Sequence, residues 1–364
     1  MALETATHIN DLVTTNPDGL DDVSQGDNHI RMVKDVLKRD LPLTTPATAL
    51  GMSLLTAASA QSALSAIGGS NSPFRNILIN GGFGVDTRGS YSSSSITAGA
   101  ALKYFIDRWY AYCTGGNITA ASSDRGTLPY PTVQLAGSAS NSGTGLGHRI
   151  ESRNSYQLAG NTATLSARLF CGTGTVAVTW SAYYANTADT FGTIASPTRT
   201  FIASGTFTAT TTSTVYSANI AIPAGATTGL EIVFTTAAIA VGQSISYQQI
   251  QLEYGTLSTS QIQFENVDLP IETLRCQRYY LKTTCTARAY ASIAGQSIDA
   301  PIYFPAQMRA TPTATFITGT GTVVNVSSES VVGITNQSAR LTIQSTSTGD
   351  SLAVDRAYSF SAEL

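Results

Sequence analysis

Polar and apolar positions change period along the chain. In the first 42 residues the period is helical: Ile30, Val33 and Leu37 fall at i, i+3 and i+7, flanked by Met32 and Val36, the spacing of one helix face. Ser24, with Asp27 three residues on, forms a weak capping box. Lys34, Lys38 and Arg39 sit toward the C-terminal end, where cations suit the helix dipole, and Pro42 stops the helix. A helix this short is marginal alone. Its apolar stripe therefore asks for a second surface, either another copy of itself or a docking site. Residues 43–73 follow, where Leu50, Leu54, Ala57, Gln61 and Leu64 step alternately by 4 and 3. That is a short heptad seam, closed by the flexible joint GGSNSP.

From residue 74 the period becomes two. Runs at Asn76–Asn80, Tyr104–Tyr112, Thr162–Phe170, Thr175–Tyr184, Val215–Ile222, Leu230–Thr235 and Ser244–Leu252 read as strands. In VAVTWSAYY, Val176, Val178, Trp180, Ala182 and Tyr184 share one parity, and Ala177, Thr179, Ser181 and Tyr183 take the other. Short strands at regular spacing with Gly, Ser and Asn turns predict a β-sandwich of jelly-roll type over 74–256. Residues 257–364 open on a short possible helix, LPIETLRCQRYY. Strands follow at Ala289–Ile293, Pro301–Phe304, Thr313–Ile317, Thr322–Val326, Ala339–Gln344 and Asp355–Phe360. The reading is mainly β: a short helical segment over 1–42, a helical linker over 43–73, the sandwich over 74–256 and a smaller β domain over 257–364. Weak Thr- and Gly-rich strands pair poorly alone, so the chain is expected to be an oligomer that protects their edges.

Composition sharpens this picture. Of 364 residues only 12% are charged, while 42% are hydrophobic, against about 25% charged in an ordinary chain. The net charge of −3 provides no basic field to hold nucleic acid. No apolar run reaches the roughly 20 residues of a membrane span, and MALETATHIND lacks the basic and apolar regions of a signal peptide. Cys113, Cys171, Cys276 and Cys285 match no zinc spacing and read as reduced thiols of a protein made in a cytoplasm. Three histidines, His8, His29 and His148, leave few general bases or metal ligands.

Several segments, in order, resemble the tail fibre proteins of tailed bacteriophages. Asp27-Asn28-His29-Ile30-Arg31, running on through Lys34, Leu37, Lys38, Leu41 and Pro42, looks like the family's N-terminal helix. Asn76-Ile77-Leu78-Ile79-Asn80-Gly81-Gly82-Phe83, then Arg88-Gly89 and Asp107-Arg108-Trp109, resembles the opening of a jelly-roll module common in such fibres. Gln251-Leu252-Glu253-Tyr254-Gly255, Phe264-Glu265 and Arg275-Cys276-Gln277-Arg278-Tyr279-Tyr280 look like its joint. Phe304-Pro305-Ala306-Gln307-Met308-Arg309 resembles a stretch of its C-terminal domain. The resemblance implies a homotrimeric virion appendage, with the N-terminus on phage tail or baseplate proteins and the distal β domains on a host surface receptor, in all expectation a glycan. In that setting His29, Arg31, Lys34, Lys38 and Arg39 are the candidate virion-anchoring residues. Alternatives are a tail spike that cuts polysaccharide, and a purely structural appendage or adaptor.

Sugar contact calls for aromatic rings with hydrogen-bonding side chains beside them. Trp109 and Trp180 read as core. Tyr183, on the opposite parity, and Tyr290 and Tyr303, in the C-terminal domain, are the candidate glycan-binding residues, and recognition is expected over 270–364. The opening motif also resembles that of carbohydrate-binding jelly rolls that carry a structural calcium. Gln248-Gln249 stands where their acidic pair is expected, which leaves only Glu253 and Asn80 in support, too few hard oxygens for calcium. No cofactor and no metal site are expected. No residues are marked as catalytic: Gly-x-Ser-x-Gly is absent, and Asn141–Gly147 reads as a glycine-rich loop without a Lys or a following helix.

Overall fold

The computed structural model describes residues 5–15, 23–40, 75–89, 93–99, 102–123, 131–259 and 262–364. The heptad seam at 50–64 and the joint GGSNSP lie outside them. The chain divides into two compact units, Met1–Asn71 and Ser72–Leu364.

In the first unit, helix α1 (Gly26–Asp40) follows a 3-10 turn at Val23–Gln25. Residues 6–12 lie along it. The Ala6 amide donates to Met32 Sδ, the Ile9 amide donates to Asp40 (2.6 Å), and His8 pairs with the same carboxylate (3.0 Å). This changes which face is covered. His29 and Val36 are the buried residues of α1, whereas Ile30, Val33 and Leu37, the predicted stripe, are exposed. The covered side is the one that residues 6–9 cross.

The second unit is mainly β. Its larger part is a sandwich of two antiparallel six-stranded sheets. The first runs β1 (Ser94–Ile96), β4 (Ile118–Ser123), β5 (Thr132–Ala136), β12 (Ser244–Tyr254), β7 (Thr162–Cys171), β10 (Thr214–Ala221). The second runs β2 (Lys103–Ile106), β3 (Trp109–Thr114), β6 (Gly143–Ile150), β11 (Leu230–Ala237), β8 (Val176–Ala185), β9 (Arg199–Ala209). Alternation assigns the faces. Across the second sheet, Leu146, Phe234 and Trp180 stand in one row and Trp109, His148, Ile232 and Ala182 in the next, and all are buried between the sheets. A smaller sandwich follows helix α3 (Leu269–Gln277). It pairs β13 (Tyr280–Ala291), β19 (Gly349–Ser361), β15 (Thr313–Phe316) and β16 (Thr322–Val324) against β14 (Ser297–Tyr303), β18 (Ser338–Ser345) and β17 (Val326–Val332), around Leu341, Ile343 and Phe360. A short helix, α2 (Ser152–Ser155), follows β6.

Three expectations about elements are corrected. The segment Asn76–Asn80 joins no ladder, because the Asn76 side chain takes the place of ladder bonds and Asn80 adopts a left-handed φ of 58°. The run Tyr104–Tyr112 is broken at Asp107-Arg108 into β2 and β3, with Arg108 at φ 70°. The glycine-rich stretch Asn141–Gly147 is no loop. Most of it is β6, an interior strand whose Gly145 faces Tyr112 and Gly147 faces Tyr110 in register on β3. A Cβ on either glycine would overlap the tyrosine ring that lies across it. The bare strand is the bed for two rings.

Candidate functional site

The motif residues converge on a buried joint between the two sandwiches. Asn76 clamps the chain to β12: its Nδ2 donates to the Ile250 carbonyl, and its Oδ1 accepts from the Leu252 and Leu78 amides, all at 3.0 Å. Asn80 does the same for the next turn, donating to the Val85 (2.8 Å) and Asp107 (2.9 Å) carbonyls, while its own carbonyl accepts from Trp109 Nε1 (2.9 Å). Gly81 has no room for a Cβ against the Ile250 carbonyl. Arg108 is fully buried, ion-paired with Glu363, and its guanidinium lies 3.6 Å above the Tyr279 ring. Arg278 forks onto Glu151 (2.7 Å), which also accepts from Tyr279 Oη (2.9 Å). Arg309 donates to the Ala362 carbonyl (2.9 Å). Charges this deep hold only when paired and hydrogen-bonded. The short motifs thus hold the fold together at this joint.

Electrostatics at the joint follow burial. Asp107 accepts from Thr87 Oγ1 (2.8 Å), yet burial, only partly offset by Arg88, pushes its carboxyl up to about 6. His148 is fully buried, with Nε2 3.1 Å from the Ile79 carbonyl, and burial holds its pKa well below the ordinary histidine value. The two residues weighed for calcium are already committed: Glu253 pairs with Arg75 (2.8 Å) and the Asn80 side chain binds main chain.

Away from the joint, the outer face of the second sheet gathers aromatics and hydroxyls. β3 contributes Tyr110 and Tyr112, which lie across β6 as described. β8 contributes Thr179, Ser181 and Tyr183, and β9 contributes Phe201, Ser204 and Thr206. Tyr183 meets Phe201 edge-on at 5.8 Å, and the Arg199 guanidinium sits 4.1 Å from its ring. Beneath them lies Glu231, fully buried, accepting from Tyr110 Oη (2.6 Å) and Arg149 Nε (2.7 Å) and paired with Arg199. Tyr112 lies close enough to Arg199 and Tyr183 to feel both charges, although burial dominates and raises its pKa. Three strand spacings, about 14 Å, separate β3 from β8. Gly145, Thr235 and Thr179 continue the row of Tyr112, whereas Tyr183 stands two rows along, past Gly147, Val233 and Ser181 and level with Glu231.

The sequence-predicted residues are scattered over the molecule. Tyr183 stands on this face, half-buried. Tyr290 and Tyr303 are exposed on β13 and β14, in different sheets of the smaller sandwich, and neither has an aromatic partner among the described residues. In the first unit Arg31, Lys34, Lys38 and Arg39 are exposed on α1, Arg39 being tied to Asp35 (2.8 Å) and to the Thr7 carbonyl (2.8 Å), and His29 is buried. Tyr112, Arg199 and Phe201 went unforeseen. Their own parity was readable, but their meeting depends on strand order.

No known family matches the sequence, and no curated protein matches it. Many solved structures are similar in part, among them the following three. A carbohydrate-binding module, CBM4, is 12% identical, with 49% of this chain and 99% of that chain covered and a TM-score of 0.30. The enzymatically active domain of tailspike protein 4 of bacteriophage CBA120 is 14% identical, with 50% and 22% covered and a TM-score of 0.29. The C-terminal family 22 carbohydrate-binding module of Clostridium thermocellum Xyn10B is 17% identical, with 48% and 99% covered and a TM-score of 0.30. Likeness at such TM-scores carries no weight for function.

Proposed function

We propose that this chain is a glycan-binding attachment protein of the phage tail-fibre type, trimeric, held on the tail through its N-terminal segment and acting without catalysis. The observation that supports glycan binding is the outer face of the second sheet. A pyranose offers an apolar face of C–H bonds to an aromatic ring and hydroxyls to polar neighbours. Here Tyr112 stands at one corner and Tyr183 with Phe201 at the diagonally opposite one, with Thr235, Val233 and Ser181 on the sheet between them and the Arg199 guanidinium beside Tyr183. The tail-fibre assignment rests on the order of the motifs, and the anchoring role on the exposed cations of α1. This face supports recognition better than residues 270–364, where Tyr290 and Tyr303 stand singly.

The test is saturation-transfer NMR and calorimetric titration against oligosaccharides released from host surfaces. Tyr183→Ala and Phe201→Ala should each weaken binding roughly fivefold to tenfold and leave the melting temperature nearly unchanged. Variants that bind like the parent would move recognition off this face. Sedimentation of the full chain should give three times 38.0 kDa; a stable monomer would remove the trimer.

A further inference from the structure

A pocket of about 430 Å³ opens beside the joint and is lined by Arg153, Asn154, Gln157, Arg275, Arg278 and Tyr279 among others. Its size falls in the roughly 300–1,000 Å³ range of small-ligand clefts. Its lining is unusual for this chain. The molecule carries a net charge of −3, yet three guanidinium groups line this pocket and no carboxylate does. The balancing acids contribute nothing to the lining. Glu272 holds Arg275 (2.7 Å) and Glu151 holds Arg278 (2.7 Å), so these two arginines are fixed in place with part of their charge neutralised. Arg153 differs. It is exposed on α2, and no ion pair ties its planar fork to any carboxylate among the described residues. Asn154 and Gln157 add amide donors and acceptors beside it.

We propose that this pocket binds the anionic group of an acidic saccharide, with Arg153 as the group that meets the anion. A guanidinium fork matches a carboxylate or a phosphate with two parallel hydrogen bonds. Arg275 and Arg278 add positive potential without having to be reoriented, because their carboxylate partners already hold them. Asn154 and Gln157 take the neighbouring ring hydroxyls. The site is separate from the face on the second sheet: no residue of that face lines it. A chain that reads neutral hydroxyls on one surface and a fixed negative charge on another discriminates between polysaccharides of the same ring size.

The experiment is isothermal titration of the full chain with three probes: digalacturonic acid, glucose 6-phosphate and neutral galactobiose. At least one acidic probe should bind, neutral galactobiose should not bind in this pocket, and added salt should weaken the interaction. Arg153→Gln should weaken it about tenfold or more, whereas Lys282→Gln, which removes an exposed cation of β13 that lines neither site, should leave it unchanged. Tighter binding of digalacturonic acid would assign the anion as a carboxylate, and tighter binding of glucose 6-phosphate as a phosphate. Failure of both acids to bind, equal loss of galactobiose and acid binding in Arg153→Gln, or identical affinity in parent and variant would overturn the proposal. Arg153 is exposed, so the variant folds, and galactobiose binding, which Arg153→Gln should leave as in the parent, separates this result from failure of the glycan reading on the sheet.

Discussion

Asp107 is a carboxylate in a place that disfavours its charge. It is fully buried, its nearest cation, Arg88, is 4.0 Å away, and its pKa stands at about 6. Above pH 6 the side chain is ionised in both folded and unfolded chains, and the folded form bears the full burial penalty. Below the ordinary aspartate value both forms are protonated and the penalty is gone. The parent should therefore gain stability relative to Asp107→Asn as pH falls from 7 to 4, by up to about 3 kcal/mol. Denaturant melts of both proteins at several pH values check this, and a difference that does not change with pH would show that Asp107 is unperturbed. Trp180 belongs to the same scale. Its parity with Val176 and Val178 was legible in the sequence, and it is buried in the sandwich core against Phe207. Trp180→Ala should cost about 3–5 kcal/mol, read as a lowered melting temperature.

At the scale of elements, alternation carried the reading wherever side chains existed to alternate. Strands β7, β8, β10, β11 and β12 could be read from their sequences for that reason. β6 could not, because glycine leaves no mark of which way a position faces; the information sits on β3, in Tyr110 and Tyr112, whose rings need an empty bed. The helix α1 was legible but its covered face was not, since that face is decided by residues 6–12, which show no period of their own. Tyr183 was legible by parity, while its neighbours Arg199 and Tyr112 are brought to it by pairings across β9 and β3. Gly147→Ala should destabilise the sandwich by about 1–3 kcal/mol. In the background Tyr110→Leu, where the ring is absent, the same substitution should cost much less. A double-mutant cycle measures the coupling, and additive costs would show that the ring does not need the glycine.

For the whole molecule, the two sandwiches share one joint built from residues far apart in the chain. Arg108 and Glu363 are paired across it, Tyr279 stacks on Arg108, and Arg278 reaches Glu151. The parent should unfold beyond residue 72 in one calorimetric transition. Removing one partner of a buried pair strands the other, so Glu363→Ala should cost about 3–5 kcal/mol and split that transition into two. A single unshifted transition would show that the joint does not couple the sandwiches. These motifs were visible in the sequence as short separate runs; that they form a joint was not, because each is short and its partner lies in another zone.

The same joint sets an order of events during synthesis. Arg108 and Glu363 are separated by 255 positions, and at about 5–20 residues per second the ribosome makes the second roughly 13–50 seconds after the first. Through that interval the larger sandwich must either keep Arg108 hydrated at an open edge or wait unfolded. Its last rows close only when the smaller sandwich arrives to supply the missing charge. The nascent chain is therefore exposed longest at the seam that ends as its most deeply buried surface, and that seam is where a folding helper or a premature encounter between neighbouring chains would act.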